Sequence, residues 1–259
     1  SAPLNRRQFL AAAAALAAPW PNGKRGAVSL TFDDARPSQL DPGLALLERA
    51  RARATFYVSP HRVRERPADW RAAAKAGHEI GNHTDSHPCT GNYAFSRKNA
   101  LETWDLPRME RDLDSATQQI QDLLALTPVS FAYPCGQTYV GRGANLKSYI
   151  PLIAQRFLSG RGYLNESAND PTICDLAYLM GTGYDQLPFA EVNRLMDIAA
   201  REGRWLVLVG HDIGPRRFQS VEAEILLETC QYANDPATGL WLAPVADVAR
   251  HVLAMQKAA

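Results

Sequence analysis

The 259-residue chain carries no surplus of charge: 28 Lys and Arg stand against 27 Asp and Glu, a formal net charge of +1. That balance gives no bulk attraction to nucleic acid or to an anionic membrane. No block of like charges offsets it locally, and no internal repeat is present. Cysteine is scarce, with four residues (Cys89, Cys135, Cys174, Cys230) and no CxxC spacing. A chain of this length builds a core without disulfides, although export would permit them. Cys174 and Cys230 are therefore expected as buried small hydrophobes. The apolar run over 9–18 is too short to cross a bilayer, so no stable membrane insertion is expected.

What is present begins at the N-terminus. Arg6 and Arg7 precede Phe9, Leu10 and an Ala/Leu run that stops at Pro19. The paired arginines, short apolar region and small residues resemble a twin-arginine export signal over 1–20, which places the mature protein in the periplasm or outside the cell. The competing reading is an Ala-rich helix packed on the domain. The conjunction of the three features favours the signal. The remainder, 21–259, reads as a single catalytic domain with 46% hydrophobic residues in the whole chain and no break in composition.

Short apolar or β-branched runs predict strands at 27–32, 54–58, 79–82, 129–132, 157–159, 177–180, 206–209 and 240–242. Amphipathic stretches predict helices at 43–51, 68–76, 106–126, 146–155, 189–202, 221–232 and 245–255. Gly77 and Gly203 stand where a helix C-terminal glycine belongs. The alternation argues for an α/β fold with a parallel sheet, closed as a barrel or doubly wound. The connection 88–104, with Asn92, Tyr93, Phe95 and Trp104, is long enough to be a functional loop.

In a parallel barrel the chemistry gathers at the C-terminal ends of strands. The first strand ends in Asp33 and Asp34, and the third at His83, with His87 four residues on. The fourth runs into "FAYPCG" and the strand at 206–209 leads to His211. Polar residues at four strand ends are more than packing requires. One helical turn would bring His83 and His87 to one face, with Pro88 keeping that turn short. With a carboxylate from a neighbouring strand they form a His, His, Asp set suited to Zn²⁺, Co²⁺, Ni²⁺ or a similar divalent ion with open positions.

The stretches "TFDD", "GHEIGNHTDSHP", "FAYPCG" and "LVLVGH" resemble, in order and spacing, the motifs of the NodB-type polysaccharide deacetylases, carbohydrate esterase family four. The resemblance implies a distorted (β/α)7-type barrel. It implies a metal-dependent hydrolase that removes N-acetyl groups from a glycan containing N-acetylglucosamine, its substrate partner. Asp33 is then the general base, Asp34, His83 and His87 the metal ligands, and His211 the general acid. The backbone N–H of Cys135 would stabilise the oxyanion. Its thiol as a fourth ligand is disfavoured, because it would close the open site. An Asp orients the acid in this family; Asp185 is the first choice and Asp175 the second. One departure stands out: many members carry an Arg in the third motif that holds the base, and here that position is Ala132. Arg161, at a strand end, is expected to supply the missing cation to Asp33. The same site on O-acetyl esters or cyclic amides, or a decayed site that only binds glycan, are the competing functions.

Among lesser residues, Tyr133, Tyr139, Tyr163, Tyr184 and Trp104 are candidates for stacking on sugars, with core packing as the plainer reading. Trp205 and Trp241 are expected in packing, and His61 and His251 at the surface.

Overall fold

The computed structural model describes residues 20–258. The expected export signal lies outside the described residues except for Trp20. That side chain is buried, donates from Nε1 to the Gly203 carbonyl (3.0 Å) and stacks on His251.

The frame is an eight-stranded parallel sheet: β1 Gly26–Asp33, β2 Thr55–Val58, β3 Glu79–Asn82, β4 Ser130–Ala132, β5 Ser159–Arg161, β6 Thr182–Gly183, β7 Trp205–Gly210 and β8 Leu240–Leu242. Their order is β5-β4-β3-β2-β1-β7-β6, and β8 shares one edge of β1 with β2. The ends of this order approach each other through the segment after 176. Leu179 bridges Arg161 of β5, and β6 pairs with β7. The sheet thus curls into the distorted barrel that the sequence implies.

Helices α1 Ala45–Arg49, α2 Pro67–Lys75, α3 Leu106–Leu124, α4 Ile150–Arg156, α5 Phe189–Glu202, α6 Ala223–Asn234 and α7 Val245–Ala258 connect the strands. The longest, α3, shows why they form where they do. Asp105 caps it by accepting from the Arg108 N–H (2.9 Å), and Pro107 occupies its first turn. Met109, Leu113, Ala116, Ile120 and Leu124 recur at helical spacing and are buried. Gly203 ends α5 with φ 69°.

Alternation along β1 divides its side chains between two environments. Val28, Leu30 and Phe32 join Phe56, Val58, Leu206 and Leu208 in the main hydrophobic cluster. Ser29, Thr31 and Asp33 fall on the other face, and all three are buried. Gly81 keeps that side passable, since a Cβ there would stand 2.5 Å from the Tyr57 ring. The polar face of β1 is what carries an acid to the top of the barrel.

Four local expectations are corrected. The strand expected at 177–180 is a 3-10 turn, Leu176–Tyr178, whose N–H of Ala177 is capped by Asp175; the strand follows at β6. The strand expected at 157–159 lies two residues later, so Arg161 sits within it. His251 is not a simple surface residue: it is half-buried, with ring centroids 5.9 Å from Trp20 and 5.7 Å from Trp241. Cys230 is buried as expected, whereas Cys174 is only partly so.

Candidate active site

Asp33 is the last residue of β1, and Asp34 follows with φ 75°, so the chain turns sharply between the two acids. They therefore face different neighbours. Asp33 is buried, and the Arg161 guanidinium contacts its Oδ1 through Nη2. Burial favours its protonated form, but the charges of Arg161, His83 and His211 outweigh that and hold the carboxyl below its ordinary value. Asp34 turns Oδ1 toward the histidines, 3.6 Å from His83 Nε2 and 3.5 Å from His87 Nε2.

His83 and His87 do not share a helical turn. They are joined by an irregular turn in which Thr84 (φ 66°) and His87 (φ 47°) adopt left-handed conformations. Side chains hold it there. The Thr84 N–H donates to Asn82 Oδ1 (2.7 Å), the His87 N–H to Thr84 Oγ1 (3.0 Å) and the Asp85 N–H to Asp112 Oδ2 (3.0 Å). The convergence expected from helical spacing is reached by hydrogen bonding instead.

His83 Nδ1 donates to the Ala132 carbonyl (2.9 Å), which leaves the Nε2 lone pair free for a cation. Burial, reinforced by the neighbouring His83, pushes His87 down to about 4, so its ring is neutral at pH 7. Ligand atoms of Asp34, His83 and His87 all lie within 4.8 Å of one another. Two imidazoles and a carboxylate oxygen at this separation fit a divalent transition metal.

His211 follows β7. Its Nδ1 meets Asp185 Oδ2 at 2.6 Å, and its own N–H donates to Asp185 Oδ1 at 3.0 Å. Asp185 thus fills the place for which Asp175 was the second choice. Burial disfavours the imidazolium, but the Asp185 hydrogen bond and the charges of Asp33, Asp185 and Asp34 prevail and raise His211 above its ordinary value.

Arg161 explains what holds Asp33 when position 132 is alanine. In the β4–β5 ladder Arg161 is the direct cross-strand partner of Ala132. The cation stands one strand over, at the same level of the barrel. It is fully buried, donates from Nη1 to its neighbour Gly162 (2.9 Å) and lies over the Tyr57 ring at 4.9 Å.

Cys135 lines the same cavity with φ 55°, but its thiol is not free. It is bonded to Cys89, two residues beyond His87. A thiolate ligand is thereby removed from consideration, and the loop carrying His87 is tied to the loop carrying the Cys135 N–H.

All these groups except buried Arg161 border one cavity of about 810 Å³. Tyr93, Phe95, Leu164 and Phe218 form exposed apolar parts of its wall. Tyr163 is there too, its ring 5.6 Å from that of His211. His61 borders the mouth, exposed as expected. Tyr133, Tyr184, Trp104 and Trp205 are buried in packing. Sequence reasoning passed over Arg36, Gln39 and Gln219, each of which has a partner far away in the chain. The available signal was position, since Arg36 and Gln39 directly follow the paired acids.

Residues 21–147 match the polysaccharide deacetylase family model. That stretch, just under half of the chain, resembles the NodB-type polysaccharide deacetylase family. Within it, a peptidoglycan-N-acetylglucosamine deacetylase of Bacillus cereus is 38% identical over 73 residues, 28% of this chain and 34% of that protein. The chain spans well under half the length of the other curated relatives it matches as well. The family fold extends beyond the matched region. The peptidoglycan deacetylase PdaC from Bacillus subtilis superposes with TM-score 0.55 at 20% identity over 92% of this chain and 96% of that one. Puue allantoinase superposes with TM-score 0.65 at 15% identity over 92% and 93%.

Proposed function

We propose that this protein is a metal-dependent hydrolase that removes N-acetyl groups from a glycan containing N-acetylglucosamine, outside the cytoplasm. The observation that carries the reading is the division of labour between Asp33 and Asp34. One acid converges with two histidines, while its neighbour is paired through Oδ1 with a buried guanidinium and stands no nearer than 4.0 Å to His83 Nε2 through Oδ2. Binding alone has no use for the second acid.

Asp34, His83 and His87 would hold the cation. When bound, a divalent ion lowers the pKa of water and polarises a carbonyl. Asp33 accepts the proton of the attacking water on Oδ2, because Oδ1 is engaged by Arg161. His211, with Nδ1 committed to Asp185, carries its transferable proton on Nε2 and delivers it to the departing nitrogen. The Cys135 N–H serves the oxyanion. Arg161 is the positioning residue for the base. Export is supported by the Arg6–Arg7 pattern and by a disulfide, which oxidising compartments maintain.

The test is acetate release from chitin oligomers, peptidoglycan, poly-N-acetylglucosamine and acetylxylan by protein loaded with Zn²⁺ or Co²⁺, with Asp33→Asn as control. Release from an N-acetylated glycan, lost in the control, is the expected result. Release from acetylxylan alone would make the protein an esterase. Metal uptake with no release from any of them would make it a binding protein.

A further inference from the structure

Arg36 stands two residues after Asp34 on the wall of the cavity, and its guanidinium is shared among three acceptor residues. Nε and Nη2 donate to Asp34 Oδ2 at 3.1 and 2.9 Å. Nη2 also reaches Gln219 Oε1 (2.7 Å), and Nη1 donates to Asp212 Oδ2 (3.0 Å). Asp212 directly follows His211, and its other oxygen accepts from Ser38 Oγ at 2.5 Å. Buried Gln39 makes a parallel tie, donating from Nε2 to the backbone carbonyls of Asp33 (2.5 Å) and His211 (2.9 Å). The segment 36–39 therefore laces the end of β1 to the end of β7.

The consequence falls on Asp34. Its two oxygens face opposite ways: Oδ1 looks at His83 and His87, while Oδ2 is spent on the guanidinium. A carboxylate free at both oxygens can bind a cation through both and occupy a further coordination position. One whose second oxygen is tied to an arginine offers a single donor and leaves that position open for water or substrate.

We propose that Arg36 is a positioning residue of the metal centre, which restricts Asp34 to one-oxygen coordination and weakens the hold on the cation in exchange for an open site. This rests on the metal-dependent reading above. Arg36 also places a positive charge near the cation, so its removal acts on affinity in the same direction as the freed oxygen.

The experiment compares wild type with Arg36→Gln. The dissociation constant for Zn²⁺ is measured by competition with a chromophoric chelator, and the d–d absorption of the Co²⁺-loaded proteins is recorded. Arg36→Gln is expected to bind Zn²⁺ about tenfold more tightly, the order expected when a positive charge a few ångströms from the cation is removed. Its Co²⁺ spectrum is expected to move toward higher coordination number. Affinity unchanged or weakened overturns the proposal. Should Arg36→Gln fail to fold, Asp212→Asn loosens the guanidinium from its far anchor and is expected to change affinity in the same direction by less; no change there is equally contrary. If wild type takes up neither metal, the metal-dependent reading fails, and this proposal with it. If wild type takes up metal and the variants match it, this proposal alone fails.

Discussion

Two adjacent carboxylates meet different neighbours because the backbone turns between them. Asp33 is enclosed and paired with Arg161, whereas Asp34 is partly open and converges with two imidazoles. Replacing Asp33 by Asn keeps the shape and removes the proton acceptor. Acetate release should fall by about 10²- to 10⁴-fold, the usual worth of a general base, with metal content by atomic absorption unchanged. At His211 the sign of the pH effect follows from its raised pKa. The acid form persists above the ordinary histidine value, so kcat/KM holds there and declines only as pH rises through the elevated pKa. Asp185→Asn removes both a hydrogen bond and a charge. The alkaline limb of the pH–rate profile should then move to lower pH; an unmoved limb would mean that His211 is not the acid.

Among the elements, the ladder between β4 and β5 carries a distinctive substitution. Because Ala132 and Arg161 are cross-strand partners, a guanidinium from either position enters the barrel at one level. Arg161→Ala leaves a buried, unpaired Asp33, and urea denaturation should show a loss of about 3–5 kcal/mol together with lost activity. Adding Ala132→Arg to that variant should restore part of both. The disulfide works between elements as well. It joins residues 46 apart and fixes the loop after His87 against the loop of Cys135. Cys89→Ser combined with Cys135→Ser should lower stability by about 4 kcal/mol, measured as a shift in the denaturation midpoint, since a closed loop of that size restricts the unfolded chain.

Legibility followed the same division. The strand end bearing His211 was readable because the buried strand Trp205–Gly210 is a continuous apolar run that stops abruptly at a polar residue. The His83–His87 turn was misread as helical, since its conformation is imposed by Asn82 and Asp112 rather than by its own propensity. The strand expected at 177–180 gives way to a 3-10 turn capped by Asp175, a local competition that hydrophobic pattern alone does not reveal. The Cys89–Cys135 bond and the reach of Arg36 to Asp212 depend on distant segments meeting, and no spacing along the chain encodes either.

At the scale of the whole molecule, helices shield the apolar face of β1, and its polar face leads to one cavity at the strand ends. Beside the charged centre stand Tyr93 and Phe95, stacked at 5.5 Å, and on other loops Leu164 and Phe218. Such a wall offers apolar contact to sugar faces flanking the reacting group. Phe95→Ala combined with Phe218→Ala should raise KM for N-acetylglucosamine oligomers by about tenfold and leave kcat within about twofold, because contacts remote from the reacting bond are made equally before and during the reaction.

In the proposed mechanism Asp34, His83 and His87 serve hydrolysis at Asp33 through a cation. This role is tested most directly by acetate release from an N-acetylglucosamine oligomer after exhaustive chelation and after return of one equivalent of Zn²⁺ or Co²⁺. No release is expected from the stripped protein, with recovery at one equivalent and no recovery in His87→Ala. Undiminished release from stripped protein, or full recovery in His87→Ala, would contradict it.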